Sequence, residues 1–160
     1  MTALSRQIAE ATRTNADPEE VFLNVFTTFL HSVGTMRRFI LLAYQETKSL
    51  NSETRQALMA RERRLQALIG EAIRYGAEQG RFAPDNIELK AHNIMVLAHA
   101  WATRHWAFAG AVESIEGYIA FLQPLVLAML EVRLVGETLR KERRLTTAVG
   151  RVAGEESATK

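Results

Sequence analysis

Cysteine is missing from this chain of 160 residues, which excludes a disulfide framework, a thiolate zinc site and a cysteine nucleophile. That absence is compatible with the cytosol, and a cytoplasmic location is expected. Proline occurs only three times, and each instance punctuates: Pro18 at a helix start, Pro84 after a helix end, Pro124 within an apolar stretch. Neither sign of charge dominates, with 20 Lys and Arg against 18 Asp and Glu and a formal net charge of +2. So even a balance gives no electrostatic case for nucleic-acid binding, although the pI is about 9.2. Long hydrophobic runs are also lacking. The most apolar window, Tyr118–Val135, is broken by Gln123, Pro124, Glu131 and Arg133, a poor membrane span. Met1–Thr14 carries Arg6, Glu10 and Arg13 among its apolar positions, unlike a targeting segment. No membrane partner is expected.

What is present is ordinary globular material, 48% hydrophobic and 24% charged. The chain is long enough to bury one core without covalent staples. Apolar residues recur every three or four positions and strict alternation is missing, which predicts an all-α fold, an antiparallel multi-helix bundle. The expected organisation is a single helical domain over residues 1–145 and a loose tail over 146–160.

Leu4, Ile8 and Ala11 give a short amphipathic start. Asp17-Pro18-Glu19-Glu20 then reads as a helix N-terminus with a capping-box carboxylate at Glu20, and Phe22, Val25, Phe26, Phe29 and Val33 follow on one face up to Gly34. A second helix is expected from Met36 to Lys48 with Phe39, Ile40, Ala43 and Tyr44 inward. A third opens on Asn51 or Ser52 and runs to about Gln79, ended by Gly80-Arg81-Phe82-Ala83-Pro84. Asp85 with Glu88 reads as the capping box of a fourth, extending to about Phe108 and apolar on nearly every side. Ser114 caps a last major helix with a broad apolar face, in which Pro124 removes one backbone bond and predicts a kink.

The last two long helices carry more apolar surface than a monomer of this size needs. A four-helix bundle built from two helices of each of two subunits would bury both. A homodimer is therefore expected, with Trp101, His105, Tyr118, Phe121, Leu122, Leu125 and Met129 as candidate interface residues. The alternative is that both helices form the core of one chain.

Chemistry is thinly represented. Glu88, His92, Met95, His99, Thr103 and Trp106 fall on one stripe of the fourth helix, within roughly 80° at about 100° per residue. His92 and His99 stand about 10.5 Å apart along the axis, too far to share an ion, so no metal is expected and the stripe reads as local bonding or a cavity lining. A Glu-x-x-His pair, a His-Glu-x-x-His motif, a phosphate-cradling glycine loop and a Gly-x-Ser-x-Gly elbow are all missing. No catalytic residue, cofactor or enzymatic activity is expected. Arg61-Glu62-Arg63-Arg64 reads as a solvated helix face, and Arg140-Lys141-Glu142-Arg143-Arg144 as cations favourable at a helix end. Nothing resembles a helix-turn-helix: the helix after Gly34 brings Phe39-Ile40-Leu41-Leu42-Ala43, suited to a core and not to a groove.

The ordered run of helices from Leu4 to Val132 resembles the C-terminal half of tetracycline-repressor (TetR) family regulators. Asp17-Pro18-Glu19-Glu20 is similar to the loop before that family's fifth helix. Arg38–Leu42 and Gln45–Leu50 resemble its sixth helix and the following turn, and Arg61–Gly80 its long seventh. Leu97–Trp106 resembles the eighth helix of one subgroup, and Ser114–Ile119 the start of the ninth. The resemblance implies that the last two helices make the dimer bundle and that the earlier ones enclose a pocket for an apolar small-molecule effector. Candidate ligand-binding residues are Phe26, Phe29, Leu42, Leu68, Met95, His99 and Thr103, chosen as large apolar residues or as members of the stripe. The family's first three helices, which read DNA, have no counterpart here, so the expected function is effector binding and dimerisation without operator recognition by this chain alone. The competing expectation is an interaction module that forms mixed dimers with a full-length regulator.

Overall fold

The computed structural model describes residues 16–108 and 110–131, together with Arg6, Glu10 and Thr14. The described residues are all-α: α1 Pro18–Thr35, α2 Arg37–Glu46, α3 Ser52–Glu78, α4 Ile87–Thr103, the single turn α5 His105–Phe108, and α6 Ile115–Met129. Among them no helix is long and apolar enough to cross a membrane. The readings of Leu4, Ile8 and Ala11, of the 140–144 cluster and of the tail lie outside the described residues.

Three helix starts are closed by side chains. Asn51 Oδ1 accepts from Thr54 N at 2.8 Å, Asn86 Oδ1 from Leu89 N at 2.8 Å and Ser114 Oγ from Gly117 N at 3.1 Å. Each satisfies an amide that has no partner inside its helix. Two cap readings need correction. Asn86, not Asp85, caps α4; Asp85 Oδ1 instead accepts from Asn86 N at 2.9 Å and so orients the cap. Asp17 occupies the cap position of α1 but makes no side-chain cap bond, leaving Pro18, which has no amide hydrogen, to start that helix. The fourth helix is also shorter than its apolar pattern predicts. At Arg104 the backbone leaves the helical region (φ −124°, ψ 16°), one residue after Thr103 Oγ1 turns back to donate to the His99 carbonyl at 3.1 Å. Such back-bonding competes with the helical ladder.

Helix α4 is the centre of the bundle, packing against α1, α2, α3 and α6. Its Ala91, Ala98 and Ala102 are buried with Ile94, Met95 and Trp101, small residues allowing close approach and large ones filling between. They join Phe22, Val25, Phe26 and Leu30 of α1, Leu68, Ile69 and Ile73 of α3, and Tyr118, Leu122 and Val126 of α6 in one core. Each large side chain buried there contributes about 1.5–3 kcal/mol.

One corner ties three helix ends together. Gly80 takes φ +70°, a left-handed cap that glycine adopts without penalty. The chain then doubles back, so that Arg81 N and Phe82 N both donate to the Gly76 carbonyl, at 2.9 and 3.1 Å. Phe82 lies edge-on to Phe22, ring centres 5.7 Å apart. Arg81 Nε donates to Glu19 Oε2 at 3.0 Å, Tyr75 Oη donates to the Ala16 carbonyl at 2.8 Å, and Ala83 N donates to the Leu130 carbonyl at 3.1 Å. The start of α1 and the end of α6 are thereby fastened to the end of α3.

Gly76 makes this corner possible, because a β-carbon there would overlap the Phe82 ring edge, with even ring Cγ at 3.0 Å. Alanine is intrinsically better than glycine in a helix by about 1 kcal/mol, yet Gly76→Ala is expected to lose stability by about 1–3 kcal/mol through overpacking. A thermal melt followed by circular dichroism checks this; an unchanged or higher midpoint would show that Phe82 moves aside freely.

Candidate functional site

Helices α1, α2 and α3 leave a cavity of about 220 Å³ where they face one another. The walls follow helical spacing. The α1 side supplies Thr28, Phe29, Ser32 and Val33, with Met36 just beyond its end; α2 supplies Phe39, Ile40, Ala43 and Tyr44; α3 supplies Leu58, Arg61, Glu62 and Leu65. From α4 only His99 reaches in. Most of this lining is apolar. Ser32 Oγ gives its hydrogen to the Thr28 carbonyl at 3.0 Å, so it adds little polarity to the space.

His99 and Tyr44 form the polar contact of the cavity, with Tyr44 Oη 3.1 Å from His99 Nδ1. The imidazole is 6% exposed, tilted against Phe29 at 5.8 Å and edge-on to Tyr44 at 5.9 Å between ring centres. Burial disfavours its charged form and lowers its pKa from the ordinary 6.5. The Tyr44 phenol is shifted upward, first by burial and then by the charge of Glu62. Both groups are therefore neutral near pH 7, and a phenol that keeps its proton can donate it to Nδ1, leaving Nε2 protonated. Among the described residues, Tyr44 is the side-chain hydrogen-bond partner of the ring.

A family model described as "Tetracyclin repressor-like, C-terminal domain" matches residues 15–107. That stretch contains every residue lining the cavity. The chain belongs to the tetracycline-repressor-like family. The HTH-type transcriptional regulator HbdR of Aromatoleum sp. (strain CIB) is 32% identical over 117 residues, 69% of this chain and 50% of the relative. The chain thus spans half the length of that relative. No solved structure matches. The family is one of transcriptional regulators and not a class of enzymes.

Of the residues singled out from sequence as ligand-binding, the structure brings Phe29 and His99 to the cavity. Phe26, Leu68 and Met95 are buried in the core beside it. Leu42 is 55% exposed, one residue out of phase with the α2 face that lines the cavity. Thr103 is spent on the His99 carbonyl. Tyr44, Ile40, Leu58 and Leu65 were missed as lining residues; of the α2 face read as inward, only Ile40 is buried, while Phe39 and Tyr44 are 54% and 50% exposed because they border the cavity and not a packed neighbour. The arginines of the Arg61–Arg64 cluster lie on the solvated face expected of them. Arg61, Arg63 and Arg64 are all exposed and Glu62 is half-buried, and Arg61 and Glu62 also edge the cavity. The polar stripe of α4 divides, since Glu88 and His92 are exposed whereas Met95 and His99 are buried.

Because the folded pKa of His99 is below its unfolded value, the unfolded chain binds the extra proton first as pH falls. Stability should be fully present above about pH 6.5 and decline below it as pH moves toward the folded pKa. Urea midpoints at pH 7.5 and 5.5 test this: the wild type should lose stability at the lower pH, and His99→Gln should lose less. Equal losses in the two proteins would remove His99 as the cause.

Proposed function

We propose that this chain is the effector-binding and dimerisation domain of a tetracycline-repressor-like transcriptional regulator. The observation that carries the proposal is the cavity between α1, α2 and α3, with apolar walls and the Tyr44–His99 pair to orient what enters. Ligand sites are generally of this composition, mostly apolar with a few placed polar groups. An apolar cavity of about 150 Å³ holds benzene, so one of about 220 Å³ suits a body of one ring or a short chain. In a regulator, such a molecule would act by favouring one arrangement of the helices around it, and a DNA-reading part joined to them would follow.

The second half of the proposal rests on α6. Trp101, Tyr118 and Leu122 are buried within the single chain, where the Tyr118 ring stacks on Trp101 at 5.2 Å and its hydroxyl donates to the Leu97 carbonyl at 2.8 Å. His105 is half-buried, stacked on Trp101 at 4.5 Å, and Met129 is half-buried too. The open side of α6 is Phe121, Pro124, Leu125 and Ala128, with Phe121 63% and Leu125 43% exposed. Spaced three and four apart, these residues form one apolar face, and a second copy of the same face would cover it around a two-fold axis.

Native mass spectrometry of the purified chain is expected to show a dimer with a reproducible small-molecule adduct. Ala43→Phe, which fills the cavity from α2, is expected to keep the dimer and lose the adduct. An adduct that survives the filling would move the effector elsewhere, and a wild type that never carries one would count against the cavity. Independently, Phe121→Asp with Leu125→Asp is expected to give a monomer in sedimentation velocity with unchanged helical content. A dimer that tolerates both charges would mean that the interface lies on another face.

A further inference from the structure

Arg61 and Glu62 bring opposite charges to the lining of an otherwise largely apolar cavity, and the selection drawn from Arg61 rests on the cavity being the effector site. Arg61 and Glu62 are neighbours on α3 and both line the cavity. Arg61 Nη2 lies 3.6 Å from Met36 Sδ, at the start of α2. Glu62 lines the same cavity as Tyr44 and His99.

The exposed Arg61 guanidinium is a strong donor whose contact within the protein, the Met36 sulfur, is a weak one. It offers five N–H groups, and a thioether is a poor acceptor. Among the described residues it forms no ion pair, whereas Arg74 and Arg81 are each paired with a glutamate. Inward from it the walls are Phe29, Val33, Ile40 and Leu65, with no side-chain charge. An anion at the Met36 end would meet a planar fork that matches a carboxylate. An anion bound nearer Glu62, which also lines the cavity, would be repelled.

We infer that the cavity takes a slim apolar monocarboxylate in one orientation, its body between Phe29, Val33, Ile40 and Leu65 and its carboxylate on Arg61. A neutral molecule of the same shape would fill the walls equally well but leave the guanidinium without an anion. Charge is therefore the selecting feature, and size only sets the limit.

Isothermal titration with 4-phenylbutyrate and octanoate, each against its own primary amide, tests the inference on the full chain. At least one acid is expected to bind about tenfold or more tightly than its amide, a charge-assisted contact's worth of discrimination. Arg61→Gln should erase that preference, Arg61→Lys should retain part of it, and Glu62→Gln should tighten the acid. Arg64→Gln changes an exposed arginine one turn along α3 and outside the cavity, and should leave the preference intact. Acid and amide binding alike, or a preference that survives Arg61→Gln, would overturn the inference while leaving the effector cavity standing. Failure of all four compounds to bind the wild type would also overturn it, and the adduct lost or kept in Ala43→Phe then decides the cavity separately.

Discussion

Helix α4 offers water little that water would bind along the side that carries Ala91, Ile94, Met95, Ala98, Trp101 and Ala102. Its backbone groups are satisfied within the helix, so such a segment can be placed inside a protein at no polar cost, provided that neighbours cover it. Four helices do so: α1, α2, α3 and α6. None of the four is tied to the others by a sheet or a disulfide. Their common contact with α4, together with the packing of α1 on α3, α6 and α2, sets their relative positions, and the corner at Gly76 and Phe82 then locks three of their ends.

The cavity is a consequence of that arrangement. Helices that converge on one central rod must diverge from each other as they leave it, and where α1, α2 and α3 part, side chains do not fill the gap. The walls are unequally held. Helix α1 buries seven residues and α3 another seven, but α2 buries only Ile40. Few buried contacts mean a low free energy of local opening, so α2 is the wall that yields most readily to a guest. Tyr44, on that same helix, reaches His99 on the central one. A molecule that engages or displaces this bond thus acts between the most weakly anchored wall and the most deeply buried helix.

Much of the fold was legible in the residue pattern. Periodicity placed each major helix to within a few residues, and Asn51, Ser114 and Gly80 punctuate the chain as their chemistry predicts. The capping residue of α4 was misread because Asp85 and Asn86 are both good caps, and which one takes the position depends on backbone angles that adjacent residues share. The end of α4 was misread because an apolar pattern continues to Phe108 while the Thr103 hydroxyl competes for a carbonyl. The site was harder. Periodicity identifies a buried face, but a face that packs against a neighbour and a face that borders empty space have the same sequence signature. Phe26 and Phe29 look equivalent from the pattern; one lies in the core and the other at the cavity.

The sequence by itself determined the fold class, the helix order and the family, because these depend on spacing, caps and breakers that act over a few residues. It also excluded thiol and disulfide chemistry outright. Tertiary structure alone decided which apolar residues surround a void, which charges of α3 border it, and which side of α6 is left uncovered. Those outcomes turn on how far apart two helices lie and how each is rotated. Both are set by contacts between segments distant in the chain, and no local pattern records them.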